Sequence, residues 1–289
     1  MEPPEKPDDE ECCNSGCNPC IFDVYEEQLK KYQKSIKGET KKGVPNCIKP
    51  LKYTRFKLTE VIVLTRTTNI YIFECQDFQN ESRVFYKPGQ HFLLKGCLND
   101  EDFSRAYTPI PWNSLKSNAF AVLIKLYEDG RMAKVLKHLK LGSETLWRGP
   151  YGDFQINYQY RNVLFIAQGT GIAPIYSVIN EMVENEECET FLKLFYCCRN
   201  FNEVFLRDQL YSLCRFWNFS YELFLSEDTD GSAKYNETVN GKLDDNQIKL
   251  YLDKCTDLRV VICGSESFNS CIENKFKNFG LNKENMFIF

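Results

Sequence analysis

Residues 163–179 read VLFIAQGTGIAPIYSVI, an apolar run that passes directly into Gly169-Thr170-Gly171 and then into a helical pattern with Pro174 near its first turn. A short unbroken apolar run that ends at a glycine turn describes a strand buried on both faces. Proline suits the first turn of a helix, because the amide hydrogen it lacks would have no partner there. The glycines between strand and helix let the backbone approach a ligand, and the helix start presents unpaired N–H groups to an anion. Strand, glycine turn and helix in this order make an anion cradle at the carboxyl end of a strand, where open α/β sheets bind ligands. The third glycine of the common dinucleotide fingerprint is missing, and such turns also occur without ligands, so the string alone leaves a structural turn open.

Downstream the alternation continues through FLKLFYCC, EVFLRDQLYSLC, SYELFLS, DNQIKLYLD, LRVVICGS and SFNSCIENKFKNFG. Apolar strands separated by helical segments predict a parallel sheet covered on both faces, a Rossmann-like α/β domain over residues 160–289. Upstream, residues 53–155 hold short runs rich in Val, Ile, Phe, Tyr and Thr, broken at Pro88-Gly89 and Asn99-Asp100, with one helical stretch, MAKVLKHLK. They predict an antiparallel β-barrel. The expected fold class is thus two-domain, a β-barrel followed by a Rossmann-like domain. Residues 1–36 read as a Cys-rich module and a short helix, with Phe22, Tyr25, Leu29 and Tyr32 at helical spacing, and residues 37–52 as a linker.

Composition narrows the function. Hydrophobic residues at 43% and charged residues at 26% describe a soluble globular chain, and no run approaches the roughly 20 apolar residues of a membrane span. A net charge of −4 argues against a broadly basic nucleic-acid binder, although residues 30–57 are rich in Lys and Arg. That basic run reads as a solvated face or linker, with a docking patch for an acidic partner as the alternative. The acidic, Pro-rich start resembles neither a secretory signal nor a transit peptide, and 14 cysteines scattered through strand-like segments suit a reducing compartment, so a cytoplasmic location is expected, with a peripheral place at a membrane surface left open. Cys12, Cys13, Cys17 and Cys20 lie close enough to ligate a metal, but their spacing matches no usual zinc or iron–sulfur pattern. A metal site and a reduced tail both remain open, and no metal ligand is assigned.

In the first domain, RAYTPI (residues 105–110) combines a fixed cation, a phenol and a hydroxyl. Arg105 can pair with a phosphate, Tyr107 can lay its ring on a flat cofactor, and Thr108 can hydrogen-bond a ring atom. A solvated edge-strand turn is the plain alternative. EDGRMAKVLKHL then repeats the logic of glycine before helix, so a second phosphate could sit near Gly130, Arg131, Met132 and Ala133. The only histidines, His91 and His138, are poor catalytic candidates.

RAYTPI, LIKLY, GRMAKVL, RGPYGDF, AQGTGIAP, VVICG and the terminal MFIF occur in the order and approximate spacing of the ferredoxin-reductase-like flavoproteins. Over residues 53–289 the chain most resembles the NADH-cytochrome b5 reductases, and CCNSGCNPCIFDVYEEQLKKY resembles an oxidoreductase-like N-terminal module. The resemblance implies an enzyme that passes a hydride from NADH to FAD and then single electrons to a cytochrome b5-type haem protein. It implies FAD on the barrel, with Arg105 at the pyrophosphate, Ala106, Tyr107 and Thr108 along the flavin, Leu123, Lys125 and Tyr127 of LIKLY nearby, and Gly130 to Ala133 around the phosphates. It places the nicotinamide nucleotide on the α/β domain at Gly169, Thr170 and Gly171, with Cys263-Gly264 packing beside the ring, and the two cofactors meeting in a cleft between the domains. Tyr107, Thr108 and Thr170 would orient the reacting rings, and Phe289 would cover a ring face. Glu227 and Asp228, at the end of SYELFLSED, would accept hydrogen bonds from a free ribose hydroxyl and repel a 2′-phosphate, favouring NADH.

Four positions depart from that family's pattern: Ala133 stands where Ser is usual, Gln168 where a second Gly is common, and CGSESF has Ser265 and Phe268 where Pro and Met commonly follow the Cys-Gly pair. Within the fold the alternative is an NADPH-dependent or broad-acceptor reductase, to be told apart at Glu227 and Asp228; Ala133 and the altered CGSESF motif leave open a non-catalytic interaction or assembly protein using the N-terminal cysteines.

Overall fold

The computed structural model describes residues 3–8, 20–36, 44–76, 82–227, 235 and 237–289. The chain divides into two units, Met1–Asp153 and Phe154–Phe289.

The first unit opens with α1 (Ile21–Ile36), whose first turn is tied by the Asp23 carboxylate accepting the Cys20 N–H at 3.0 Å. Ile21 and Val24 are its buried residues, whereas Phe22, Tyr25 and Leu29 are only half-buried. The helix is the one expected, but its most buried stripe runs along the branched aliphatic residues. Seven antiparallel strands follow: β1 (Thr54–Val63), β2 (Thr68–Cys75), β3 (His91–Leu98), β4 (Glu101–Tyr107), β5 (Pro109–Ile110), β6 (Ala119–Lys125) and β7 (Glu144–Tyr151). They are ordered β4-β3-β7-β1-β2-β6-β5. β4 and β5 stand at opposite edges of this sheet, yet only Thr108 separates them in sequence. Two residue steps span at most about 7 Å, so the edges must come together and the sheet curls on itself.

What fills the curl is aromatic. Phe56, Phe73, Phe92, Phe120 and Trp147 are all fully buried, and the Phe120 ring meets Phe56, Phe92 and Trp147 at 5.0, 4.9 and 5.0 Å. Edge-to-face contacts of this kind add to the transfer of large apolar area from water. The buried indole N–H donates to Thr145 Oγ1 at 2.9 Å, and that hydroxyl donates to the Phe56 carbonyl at 2.9 Å, so this polar pair carries no desolvation penalty. A two-turn helix, α2 (Arg131–Lys137), packs Met132 and Leu136 into the same core.

The second unit is a six-stranded parallel sheet, β8 (Asn162–Gln168), β9 (Phe191–Cys198), β10 (Phe219–Leu225), β11 (Thr238–Asn240), β12 (Leu258–Cys263) and β13 (Met286–Ile288), in the order β11-β10-β9-β8-β12-β13. Its helices are α3 (Ile172–Glu184), α4 (Arg207–Leu213), α5 (Asp245–Leu252) and α6 (Glu266–Asn278). The five central residues of β8 are buried, as its apolar run requires. EVFLRDQLYSLC becomes α-helical only from Arg207, where Leu206 in a left-handed conformation (φ 57°, ψ 28°) is the N-cap. The strand order turns back between β8 and β12, and this reversal is where such sheets leave a crevice beyond the strand ends. Among the described residues no helix is long and apolar enough to cross a membrane.

Candidate functional site

On the antiparallel unit the site follows the outer side of β4. Arg105 and Ala106 are exposed, while Tyr107 and Thr108 are half-buried. The Arg105 guanidinium donates to the Ser104 carbonyl at 2.8 Å and lies 5.9 Å from the Phe103 ring; no carboxylate pairs with it among the described residues. Arg131 stacks on the same ring at 4.5 Å and pairs with Glu101 at 2.9 Å. Two cations thus converge on Phe103, with one acid to offset them. Gly130 precedes α2 in an extended conformation, with no side chain capping the helix and no acid in its first turn. The amide hydrogens at the start of α2 therefore remain available to an anion.

Tyr107 packs edge-on to Trp147 at 6.1 Å. Burial pushes its phenol above the ordinary value and the Arg105 charge pulls it only partly back, so the ring stays neutral. The register Pro109↔Val122 carries Thr108 to the level of Leu123 on β6, and Lys125 ends that strand opposite Thr68. Leu123 is buried, Lys125 is half-buried, and Tyr127 is 64% exposed just beyond. The Thr108 hydroxyl has no hydrogen-bond partner among the described residues.

On the α/β unit the site is the reversal itself. Gly169, Thr170 and Gly171 form a single 3₁₀ turn between β8 and α3. Gly169 takes φ +53°, and its carbonyl accepts the hydroxyl of the fully buried Tyr196 at 2.9 Å. Gly171 lies directly against the end of β12: a Cβ there would fall inside the contact distance of the Cys263 carbonyl. Only glycine lets the two strand ends approach this closely. Thr170 is half-buried, and its hydroxyl, like that of Thr108, is unpartnered among the described residues. Cys263 is partly buried, and desolvation pushes its thiol up to about 12, which suits a packing residue and not a nucleophile. The Phe289 N–H donates to the Ile262 carbonyl at 3.0 Å, and its ring packs with Phe154 and Phe287, each at 5.0 Å.

Of the expected site residues, the structure gathers Gly169, Thr170, Gly171, Cys263 and Gly264 at one point, and Arg105 with Arg131 around Phe103. Met132 packs into the barrel core and Ala133 is buried, so only their backbone is available to a ligand. Glu227 is exposed; its N–H donates to the Arg199 carbonyl at 2.9 Å and its carboxylate lies 3.9 Å from the Arg199 Nε. Asp228 lies outside the described residues, as do Cys12, Cys13 and Cys17. Among the described residues no cluster of His, Cys, Asp and Glu could hold a metal. Sequence reasoning missed Phe103 and Tyr196. Phe103 sits two residues before Arg105, a strand spacing that puts both side chains on one face. Nothing local marks Tyr196 as the anchor of the turn.

Residues 55–156 match the family described as oxidoreductase FAD-binding domain, residues 165–274 the oxidoreductase NAD-binding domain, and residues 1–41 the oxidoreductase-like protein N-terminal family. A Homo sapiens protein named NADH-cytochrome b5 reductase-like is 31% identical, covering 99% of this chain and 94% of that protein. NADH-cytochrome b5 reductase 1 of Dictyostelium discoideum is 27% identical over 87% of each chain. The crystal structure of the cytochrome b5 reductase domain of Ulva prolifera nitrate reductase matches the fold with a TM-score of 0.71 at 20% identity, over 84% of this chain and 100% of that one. A Neisseria gonorrhoeae ferredoxin NADP+ reductase solved with FAD and NADP matches with a TM-score of 0.67 at 17% identity, over 82% of this chain and 98% of that one.

Proposed function

The chain belongs to the NADH-cytochrome b5 reductase family of FAD- and NAD-binding oxidoreductases, and from that premise we propose that it oxidises NADH and delivers single electrons to a cytochrome b5-type haem protein. The observation that carries this reading is the convergence of Arg105, Arg131 and the uncapped start of α2 about Phe103. Two guanidinium groups and a set of free amide hydrogens have the charge and the donors to hold a diphosphate. The residues present therefore fit FAD, and the Ala133 departure leaves the backbone contacts of the α2 start untouched.

FAD, when bound, supplies the one property the reaction needs, accepting electrons in pairs and releasing them singly. The chain's own residues bind and orient. Arg105 would neutralise the diphosphate, the neutral Tyr107 ring would offer a flat apolar face, and Thr108 would supply a hydroxyl that no other group claims among the described residues. On the α/β unit the amides at the start of α3 would receive the nucleotide pyrophosphate, and Thr170 and Cys263 would pack beside the nicotinamide. Glu227 supports NADH over NADPH, since it opposes a 2′-phosphate and sits 3.9 Å from Arg199, a cation that could otherwise pair with that group.

The test is an anaerobic mixing experiment on the purified full-length protein. A yellow protein whose flavin absorbance bleaches with NADH and recovers on adding oxidised cytochrome b5, with one haem reduced per electron, is the expected result. A colourless protein that takes up no added FAD and leaves NADH unoxidised with both cytochrome b5 and ferricyanide overturns the proposal.

A further inference from the structure

Two of the departures from the family pattern turn out to be bonded to each other. The Ser265 N–H donates to Gln168 Oε1 at 3.2 Å, and the Ser265 hydroxyl donates to the same oxygen at 2.9 Å. A backbone N–H can only donate, so the atom facing it must be the amide oxygen, and the Gln168 Nε2 points away with no partner among the described residues. The hydroxyl also accepts the Phe268 N–H at 3.4 Å, so it caps α6 while it bridges to β8. Proline at position 265 would offer neither donor, and glycine at position 168 would offer no acceptor. The bridge between the two turns exists only when both departures are present.

The bridge stands where the backbone ladder gives out. Ala167↔Cys263 is the last pairing between β8 and β12, and the Gln168 backbone pairs only with Cys197 on the other side. Its side chain continues the cross-link toward β12 for one further residue. It also lies along Gly264, where an added Cβ would come within 2.9 Å of the Gln168 Cβ and 2.5 Å of the Phe268 ring.

We infer that Gln168 and Ser265 act as one coupled positioning pair for the nicotinamide nucleotide, a strut that holds the Cys263-Gly264 turn at a fixed separation from Thr170. The inference rests on the reductase reading above, and it assigns a role that composition and the glycine motif do not. Without the strut the two turns move independently, so NADH binds less tightly while FAD binding on the antiparallel unit is unaffected.

The dissociation constant for NADH, measured by calorimetry under anaerobic conditions on the FAD-loaded full chain, tests this alongside flavin content and melting temperature. Gln168→Ala is expected to weaken binding about tenfold, and Ser265→Ala, which keeps the N–H donor, about threefold. The double variant should bind no more weakly than Gln168→Ala, because the second change removes a bond already lost. Gln168→Gly combined with Ser265→Pro, the arrangement usual in the family, should regain most of the affinity. In all of them flavin content should match wild type; Gln168→Ala should keep the melting temperature, and the variants that replace Ser265 should melt a few degrees lower because they also remove the α6 cap. Losses that multiply in the double variant, a paired replacement no better than Gln168→Ala, or variants that bind NADH like wild type overturn the inference. A wild-type protein that binds no NADH instead overturns the reductase reading, and this inference falls with it.

Discussion

Arg207 and Glu237 form a bidentate ion pair whose carboxylate is 2% exposed. The Arg207 Nε donates to Glu237 Oε1 at 2.7 Å and Nη2 to Oε2, while the Tyr221 hydroxyl donates to Oε1 at 2.8 Å. The guanidinium also lies 4.8 Å from the Phe201 ring. The pair fastens the first residue of α4 to the segment entering β11. Buried charges of this kind cost solvation that geometry must offset, and here every carboxylate oxygen has a donor.

Removing the charge should therefore cost stability. Burial alone would raise the Glu237 carboxyl, but hydrogen bonds from Arg207 and Tyr221 outweigh it and hold the carboxyl below its ordinary value. A group with a lowered folded-state value stabilises the fold above the ordinary carboxylate range and loses that contribution as pH falls through the lowered value. Glu237→Gln is expected to lose about 2–4 kcal/mol near neutral pH, read by urea denaturation, and the gap between variant and wild type should narrow in acid. A gap that stays constant into acid would show that the pair contributes by shape alone.

Arg105→Leu keeps much of the side-chain volume and deletes the charge. FAD affinity should fall about tenfold to a hundredfold, the range for losing a charge-assisted contact to a phosphate. Flavin retained through gel filtration, followed by titration with FAD, gives the number. Phe103→Leu should produce a smaller loss through the same route, since it removes the surface on which Arg105 and Arg131 are gathered. If Phe103→Leu leaves FAD affinity intact, the two arginines do not act through that ring.

How much of this was legible beforehand follows from the range of each interaction. The barrel and the α/β sheet were legible because strand alternation and apolar runs are local, and VLFIAQGTGIAP already contains strand, turn and helix start in one string. The reversal between β8 and β12 was not, since Ala167↔Cys263 joins residues far apart in the chain. For the same reason Gln168 and Ser265 look like two separate departures in the sequence, and only the fold shows them as one bond. The late start of α4 after Leu206 was hidden too, because a non-glycine residue in the left-handed region leaves no local signal.

Nucleotide choice should turn on Glu227. Glu227→Gln removes the negative charge that opposes a 2′-phosphate and releases Arg199 to meet it. The ratio of kcat/KM for NADPH to that for NADH should rise about tenfold, corresponding to roughly 1.4 kcal/mol of differential binding. Adding Arg199→Ala to that variant should cancel the gain. A wild-type preference for NADPH would contradict the assignment outright.

Cys263 gives a prediction about pH. With its thiol pushed up to about 12 by burial, it stays protonated across the range in which the protein is folded and active. Cys263→Ala should therefore slow NADH oxidation through lost packing and leave the shape of the pH profile unchanged. A basic limb present in wild type and absent in the variant would make the thiol a titrating participant.

The sharpest steric prediction concerns Gly171. Its backbone conformation is one any residue can adopt, so the demand is purely spatial: an added Cβ would collide with the Cys263 carbonyl, and backbone cannot move aside as a flexible side chain can. Gly171→Ala must therefore push the start of α3 away from the end of β12. α3 is buried along most of its length, from Ile172 to Val183, so the shift cannot be absorbed by the helix alone. Overpacking a tightly packed site typically costs about 1–3 kcal/mol, which a denaturation curve will detect, and the displaced turn should lose most of its NADH affinity. FAD content should be unchanged, because the antiparallel unit has its own aromatic core. Gly169→Ala provides the contrast: nothing lies within 4 Å of an added Cβ there, so its cost comes only from the φ of +53° and should be the smaller of the two in NADH binding. If Gly171→Ala binds NADH as well as Gly169→Ala does, the close approach of the two strand ends is not what builds the nucleotide site.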